Sequence, residues 1–217
     1  MMKALTKYGL LLSLALLLLL SCSQAKEPIK EQSSPDPITD KPLHDKKILI
    51  VYLSRTNNTK AVAQIIHKEI GGDLVPIELM TAYPLDYQSV VDQVARENQG
   101  GYLPPLKTQI ENIKQYDVIF VGFPTWGMQL PPPIKSFLSQ NDFSGKTIVP
   151  FNTNGGYGIG SSFETLRQLC ANSTVLTGYS TTDGKEKEGL FLVMKGVKEE
   201  QVKADIKKWL ATIKIDN

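Results

Sequence analysis

Short apolar runs and longer amphipathic stretches alternate along the chain after residue 46. This alternation is typical of βαβ units built around a parallel sheet. The apolar runs predict strands at residues 47–53, 74–79, 118–123 and 147–151, and a fifth position formed by 175–179 together with 190–194. The first and third runs are almost continuously apolar, which indicates central strands that helices cover on both faces. The pattern therefore predicts five positions in one sheet.

Amphipathic stretches follow these strands and have apolar residues at helical spacing. They predict helices at residues 58–70, 85–98, 133–139, 161–170 and 199–213. The polar stretch 180–189 predicts an exposed loop inserted into the fifth strand position. Pro150 cannot donate a hydrogen bond to a neighbouring strand, so we expect it near the exit of the fourth strand.

The first 21 residues have the pattern of a secretory signal. Lys3 and Lys7 precede an apolar run that is too short for a confident membrane span. Residues 19–22, Leu-Leu-Ser-Cys, resemble the lipobox of bacterial lipoproteins, which predicts that Cys22 becomes the lipid-modified first residue of the mature chain. A cleaved signal followed by a chance cysteine is the alternative.

The segment after Cys22 is rich in proline and polar residues, and such a segment cannot bury enough apolar surface to fold. We therefore predict a signal peptide at 1–21, a lipidated cysteine with a disordered tether at 22–45, and one folded domain at 46–217. The expected location is the cell envelope, on the periplasmic or extracellular side of a membrane that holds the lipid anchor.

Charge and cysteine content restrict the partners. The chain has 24 basic and 22 acidic residues. Lys3 and Lys7 account for the excess, so the mature chain is close to neutral and steers charged partners only weakly. No basic run is interleaved with aromatic residues, so nucleic acid is not an expected ligand. Cys170 lies among apolar residues at helical spacing, which predicts a small buried side chain without a redox role.

Six polar residues connect the first predicted strand to the first predicted helix: Ser54, Arg55, Thr56, Asn57, Asn58 and Thr59. Hydroxyls and amides at a helix N-terminus form an anion site, because free backbone N–H groups and the helix dipole both favour negative charge. A triphosphate loop needs a glycine-rich turn and a Lys-Ser/Thr pair, which are missing here. The loop therefore favours a single monoester phosphate, with simple N-capping by Thr56 or Asn57 as the alternative.

Two further loops follow the third and fourth predicted strands, and the carboxyl ends of parallel strands meet at one ligand-binding edge. The candidate binding residues are Pro124, Thr125, Trp126 and Gly127 in one loop, and Thr153, Asn154, Gly155, Gly156, Tyr157 and Gly158 in the other. An indole offers an apolar face to a flat ring, and glycines allow close backbone approach. The alternatives are a Trp126 that packs under the prolines 131–133 and a plain glycine-rich turn.

Ser54, Thr56 and Thr59 match the Ser/Thr-x-Thr-Gly-x-Thr pattern with which flavodoxins hold the phosphate of FMN. Asn57 replaces the glycine of this pattern, and Asn is the non-glycine residue that best tolerates a left-handed backbone. The loop with Trp126 is similar to the flavodoxin loop that places an aromatic ring on the flavin. Residues 152–158 resemble the segment whose amides bond the pyrimidine edge. The chain thus resembles the flavodoxin family over residues 47–213.

The resemblance implies a three-layer α/β/α sandwich with a five-stranded parallel sheet in the order 2-1-3-4-5. It implies FMN as the cofactor, with Gly127 able to flip its peptide when flavin N5 gains a proton. It implies neither a catalytic side chain nor a metal ion. The predicted loop at 180–189 falls where long-chain flavodoxins carry an insertion. Those proteins are strongly acidic and this domain is not, so their cytoplasmic reductase partners are not implied.

The leading hypothesis for function is electron transfer through FMN to redox partner proteins. The alternative is an NAD(P)H:quinone oxidoreductase of the same fold, with a small-molecule pocket walled by Tyr83, Tyr87 and residues 85–101. A binding module that has lost FMN is a third hypothesis. A hydrolase is not expected, because the two histidines, His44 and His67, lie in the predicted tether and on a predicted helix, and no serine lies in a nucleophile-elbow pattern.

Overall fold

A computed structural model describes residues 46–213. The predicted signal, Cys22 and the tether lie outside the described residues. The strands are β1 Ile48–Tyr52, β2 Asp73–Pro76, β3 Val118–Pro124, β4 Thr147–Asn154, β5 Thr174–Val175 and β6 Tyr179–Thr182. The helices are α1 Asn58–Ile70, α2 Tyr87–Gly100, α3 Pro132–Gln140, α4 Ser162–Leu169 and α5 Val197–Thr212.

The strands form one parallel sheet in the order β2-β1-β3-β4-β5, and β6 also pairs with β4. In the centre, Val51 pairs with Val121, and Val121 pairs with Pro150. The predicted order 2-1-3-4-5 is confirmed. This order reverses the winding direction between β1 and β3, which leaves a crevice at their carboxyl ends.

Helices cover both faces of the sheet, which confirms the predicted three layers. Alternate β1 residues point to opposite faces, because side chains of a strand alternate. Leu49 and Val51 belong to the apolar cluster shared with α3 and α4. Ile48 and Ile50 belong to the cluster shared with α1 and α5. All five β1 residues are buried, which explains why this strand is continuously apolar.

Pro150 lies in the middle of β4, so our placement of it near the strand exit was wrong. The N–H and C=O groups of Ile148 and Asn154 point away from β3, since Ile148 O accepts from Leu176 N and Asn154 O accepts from Asp183 N. Pro150 is an even number of residues from both, so its backbone groups point to the same side. The hydrogen bond that Pro150 cannot donate is therefore missing on the side of β4 that faces away from β3. The fifth sheet position is broken there into β5 and β6.

Two predictions around the fifth position need correction. Residues 190–194 form no strand, although the apolar run predicted one. Residues 180–182 belong to β6, and the rest of the predicted loop 180–189 contains a short 3-10 helix at Glu186–Glu188. Backbone groups of 190–194 bond instead to the side chain of Asn58, described below. The apolar run correctly indicated a partly buried segment at 190–194, but its backbone groups bond to a side chain and not to a neighbouring strand.

The connection between β2 and β3, residues 77–117, is long and contains α2. Asp86 caps this helix by accepting a hydrogen bond from the Ser89 N–H at 2.8 Å. None of the helices within 46–213 is both long and apolar enough to cross a membrane. Cys170 is buried at the end of α4, as predicted, and burial raises the pKa of its thiol to about 11.

Candidate cofactor-binding site

The first loop, residues 54–59, leads from β1 into α1. Asn57 has a φ of 66°, so the expected left-handed conformation is confirmed. Ser54 Oγ accepts a hydrogen bond from the Lys60 N–H at 3.1 Å. The N–H groups of Asn58 and Thr59 have no acceptor within residues 46–213. The first turn of α1 therefore offers free donors and a positive dipole end, as an anion site requires.

Arg55 is held by other protein groups. Its Nε donates to both carboxylate oxygens of Glu186, at 2.8 and 2.9 Å, and its terminal nitrogens donate to the carbonyls of Pro84 and Leu85 at 2.9 and 2.6 Å. The Arg55 and Glu186 side chains are 18% and 15% exposed. Arg55 therefore connects three segments of the chain through hydrogen bonds, and its charge is already paired within the protein.

Asn58 also has a structural task. Its Nδ2 donates to Thr56 Oγ1 at 2.9 Å and to the Phe191 carbonyl at 2.7 Å. Its Oδ1 accepts from the N–H groups of Val193 and Met194 at 2.9 and 3.2 Å. These bonds hold the 190–194 segment at the start of α1, so the Asn58 carboxamide is occupied within the protein, and Asn58 does not line the cleft described below.

The second loop, residues 124–129, contains a tight turn. Gly127 and Met128 both have positive φ, 56° and 59°, and the Gln129 N–H donates to the Trp126 carbonyl at 3.0 Å, as in a type I′ turn. The Ser161 N–H holds the Met128 carbonyl at 3.0 Å. Within the described residues, the Gly127 carbonyl and the Met128 N–H have no partner. The Gly127–Met128 peptide is therefore the least restrained in the turn.

Trp126 is half-buried, and the edge of the Tyr83 ring packs on it. The ring centroids are 5.3 Å apart at an angle of 88°. The Tyr83 hydroxyl donates to the buried Glu97 carboxylate, which also accepts from Gln93 Nε2 at 2.8 Å. Burial and the bond to Glu97 raise the pKa of Tyr83 well above its usual value. The orientation of Trp126 thus depends on a hydrogen-bonded pair behind it.

The third loop, residues 154–158, is shaped from within by Asn154. Its Oδ1 accepts from the N–H groups of Gly156 and Gly158, each at 3.0 Å. Thr125 Oγ1 donates to the Gly158 carbonyl at 3.0 Å and so joins the second loop to the third. Tyr157 is 78% exposed at the rim. Its ring is free to cover a ligand that occupies the space below it.

A chain of hydroxyls links the first loop to the end of the sheet. Thr59 Oγ1 and Thr153 Oγ1 are 2.9 Å apart, and the Asp183 carboxyl group lies near the Thr153 side chain. Burial raises the pKa of Asp183, an effect that the Thr153 side chain partly offsets. Asp183 follows β6 directly, at the same edge of the sheet as the three loops.

The three loops, α2 and residues 183–188 enclose one cleft of about 520 Å³. Cavities of this size hold cofactors and substrates, which usually need about 300 to 1,000 Å³. The lining residues include Thr56 and Thr59 at the start of α1, which follows β1, and Trp126 in the loop after β3. The cleft can therefore take a molecule with an anionic group at one end and a flat apolar group at the other.

Comparison with known proteins agrees with this geometry. The sequence profile of the family described as flavodoxin matches residues 47–210. The chain belongs to the flavodoxin family. The flavodoxin of Synechocystis sp. is 27% identical over 122 residues, which cover 54% of this chain and 58% of that protein, less than two thirds of its length.

Solved flavoproteins share the fold. A crystal structure from Bacteroides uniformis, of a protein classed as a flavoprotein, is 26% identical with a TM-score of 0.62 and covers 75% of this chain and 98% of that one. A Lactobacillus acidophilus flavoprotein in complex with FMN is 25% identical with a TM-score of 0.56, over 67% and 98% of the two chains. The fold predicted from the flavodoxin resemblance is thereby confirmed.

The flavodoxin loops bring many of the predicted site residues together at the cleft. Those that line it are Arg55, Thr56, Thr59, Pro124, Thr125, Trp126, Gly127, Asn154, Gly155 and Tyr157. Those that do not are Ser54, Asn57, Asn58, Thr153, Gly156 and Gly158. The members of this second group cap α1, set the backbone of a loop or support a lining residue from behind.

Two lining segments were not among the predicted cofactor residues of this flavodoxin domain. One is α2, where Tyr87, Val91 and Ala95 face the cleft; the sequence suggested it only as a wall in the reductase hypothesis. The other is the turn 183–188. Its position after the fifth predicted strand could have marked it as part of the site, because the carboxyl ends of parallel strands all lie at the same edge of the sheet. No group of His, Cys, Asp or Glu within 46–213 is arranged to hold a metal ion.

Proposed function

We propose that this chain is an FMN-binding electron carrier that a lipid on Cys22 anchors to a bacterial membrane in the cell envelope. One observation carries the proposal: three strand-end loops line a single cleft, and they offer N–H donors, an indole ring and a glycine-rich backbone to a phosphate, a ring face and a ring edge. FMN has these three parts. The family membership and the FMN-bound relative support the same cofactor.

The donor set fits a monoester phosphate. The N–H groups of Asn58 and Thr59 are free at the start of α1, and the hydroxyls of Thr56 and Thr59 lie at the cleft wall. These are neutral donors at a positive helix end, which suits one phosphate group. Arg55 is already neutralised by Glu186, so the binding charge comes from the helix dipole and the N–H groups.

The ring end also fits. Trp126 offers an apolar indole face, which excludes water from one side of a flat ring. The unrestrained Gly127–Met128 peptide can turn either its carbonyl or its N–H toward the ring edge. Bound FMN supplies reversible electron transfer, and the side chains described here bind, orient and shield it. No described side chain has to act as a nucleophile or general base.

Electron transfer is tested by anaerobic titration of the domain from Lys46 onward. A domain of this extent stands alone in the Bacteroides uniformis structure, whose chain the match covers to 98%. We expect a yellow protein that accepts electrons from dithionite in two separate one-electron stages. Reduction in a single two-electron stage by NAD(P)H would favour the reductase alternative. A protein that stays colourless after addition of FMN would refute both.

The anchor is tested separately, in bacteria that express the full chain. Residues 19–22 support it through their lipobox pattern, and the preceding apolar run supports export. We expect radiolabelled palmitate to enter the wild-type protein and not the Cys22→Ala variant. A Cys170→Ala variant is the matched control and should be labelled normally. Equal labelling of all three proteins, or of none, would refute the lipid anchor.

A further inference from the structure

The cleft-facing side of α2 carries an apolar stripe. Tyr87, Val91 and Ala95 are four residues apart, so their side chains stack along one side of the helix. All three line the cleft and all three are exposed, with 37% for Tyr87 and 39% for Val91. Val90 and Val94 lie deeper and are buried. Large apolar side chains that face water inside a concave site are typical of ligand pockets.

Asn98 adds one oriented polar group to this stripe. Lys135 Nζ donates to Asn98 Oδ1 at 2.8 Å, which fixes the rotation of the carboxamide. Asn98 Nδ2 donates to no acceptor within residues 46–213. Asn98 also lines the cleft. An apolar ligand that bears a carbonyl oxygen would therefore find a free donor beside an apolar surface.

The helix that carries the stripe is held in place without a ligand. Arg55 bonds the carbonyls of Pro84 and Leu85 just before α2, and Glu97 on α2 accepts from Tyr83. The stripe belongs to the connection between β2 and β3, whereas the proposed cofactor groups lie on the strand-end loops. The stripe is thus a preformed wall that is separate from the elements proposed to hold FMN.

The charged residues around the cleft restrict which kind of ligand fits against the stripe. Among the cations that line the cleft, Arg55 pairs with Glu186 and Lys185 pairs with Glu188, whereas Lys187 has no ion-pair partner within residues 46–213; the stripe itself carries no charge. Beside FMN, which would occupy the free end of α1, a dinucleotide would bring two further phosphates, and Lys187 alone does not balance their charge. A flat molecule without charge needs no such balance. The wall therefore suits an uncharged aromatic or quinone ligand better than it suits a nicotinamide dinucleotide.

We propose that Tyr87, Val91, Ala95 and Asn98 form a binding site for a flat, uncharged quinone-type molecule beside FMN. This inference rests on the proposed function, because such a molecule would exchange electrons with the bound cofactor. It names a small apolar redox partner for the cleft, which the electron-carrier proposal leaves open. The aromatic ring lies on the stripe, and a ligand carbonyl accepts from Asn98 Nδ2.

The test measures binding of menadione to the FMN-loaded domain by equilibrium dialysis, alongside the dissociation constant of FMN. We expect menadione to bind the wild type, and Val91→Asp to weaken menadione binding at least tenfold more than it weakens FMN binding. Val197→Asp is the matched control, because Val197 is 88% exposed at the start of α5 and does not line the cleft. It should leave both affinities near the wild-type values.

Asn98→Asp is the second variant, since it keeps an acceptor for Lys135 and removes the free N–H₂ donor. It should also weaken menadione binding more than FMN binding. If FMN binds the wild type and menadione does not, the quinone site is refuted while the proposed function stands. If Val91→Asp weakens FMN binding as much as it weakens menadione binding, the stripe belongs to the cofactor site and the inference is again wrong. A wild type that does not bind FMN refutes the proposed function itself.

Discussion

The Arg55 guanidinium and the Glu186 carboxylate form a two-point ion pair across 131 residues of sequence. Arg55 also bonds the carbonyls of Pro84 and Leu85. The pair therefore joins the first loop, the approach to α2 and the turn after β6, which are three of the segments around the cleft. Bidentate geometry and partial burial distinguish this pair from an ordinary surface ion pair.

Removal of Glu186 should destabilise the domain. In Glu186→Ala the partly buried Arg55 keeps two carbonyl partners and loses its counter-charge, so we expect a loss of about 1–3 kcal/mol in the free energy of unfolding. Urea unfolding monitored by circular dichroism measures it. Glu78→Ala is the control, because the Glu78 and Lys107 side chains are 53% and 69% exposed, and an exposed pair contributes roughly 0–1 kcal/mol. Equal losses of unfolding free energy in the two variants would contradict a stabilising role of the Arg55–Glu186 pair.

Periodicity was sufficient to place most of the strands and helices along the chain, whereas the order of the strands in the sheet came from the flavodoxin resemblance. β1 and β3 are buried on both faces, so their residues had to be apolar without interruption, and the pattern is visible in one dimension. α1 was predicted with its observed bounds, because Asn57 ends the loop and the apolar face of the helix repeats regularly. Local chemistry and the tertiary structure agree at these positions.

The roles of Asn58 and residues 190–194 could not be predicted in the same way. An apolar run such as 190–194 is compatible with a strand, and only the fold shows that Asn58 occupies its backbone groups. Arg55 likewise looked like a phosphate ligand because its partner Glu186 is distant in sequence. Local pattern shows which residue types cluster at a site. Long-range hydrogen bonds decide which of them remain free for a ligand.

Asn57 offers a test of the backbone at the first loop. Its φ of 66° costs little for glycine and about 1–2 kcal/mol for a residue such as alanine. We expect Asn57→Gly to retain or slightly raise the free energy of unfolding, and Asn57→Ala to lower it by roughly 1 kcal/mol. Urea unfolding measures both. Asn172→Ala, at an exposed position outside the left-handed region, should change little. An Asn57→Ala variant as stable as Asn57→Gly would contradict the proposed strain.

The Tyr83–Glu97 pair should affect both stability and the cleft. Glu97→Ala removes the acceptor of the Tyr83 hydroxyl, which then lacks its partner behind Trp126. We expect a loss of about 1–3 kcal/mol in the free energy of unfolding and a weaker affinity for FMN, measured by fluorescence titration. Glu97→Gln keeps an acceptor oxygen and should recover most of both values. If Glu97→Gln is as impaired as Glu97→Ala, the carboxylate charge matters and not the hydrogen bond.

Asp183 should make the stability of the domain depend on pH with an unusual sign. Burial raises the pKa of Asp183 above the value that the group has in the unfolded chain. The folded state therefore binds the proton more tightly, and stability falls as pH rises from the unfolded pKa through the folded pKa. Above the folded pKa the full cost of the buried charge remains. Asp183→Asn removes this charge and keeps an acceptor for Thr153, so the variant should be more stable than the wild type at neutral pH.

Asp142 is the matched control because its pKa is shifted in the opposite direction. Hydrogen bonds from the Ser144 side chain and N–H lower the pKa of this exposed carboxylate. Asp142→Asn should therefore be less stable than the wild type at neutral pH, and its deficit should vanish as pH falls through the lowered pKa. Urea midpoints between about pH 3 and pH 8 compare the three proteins. The advantage of Asp183→Asn should shrink as pH falls; an advantage that persists at acid pH would arise from packing and not from the buried charge.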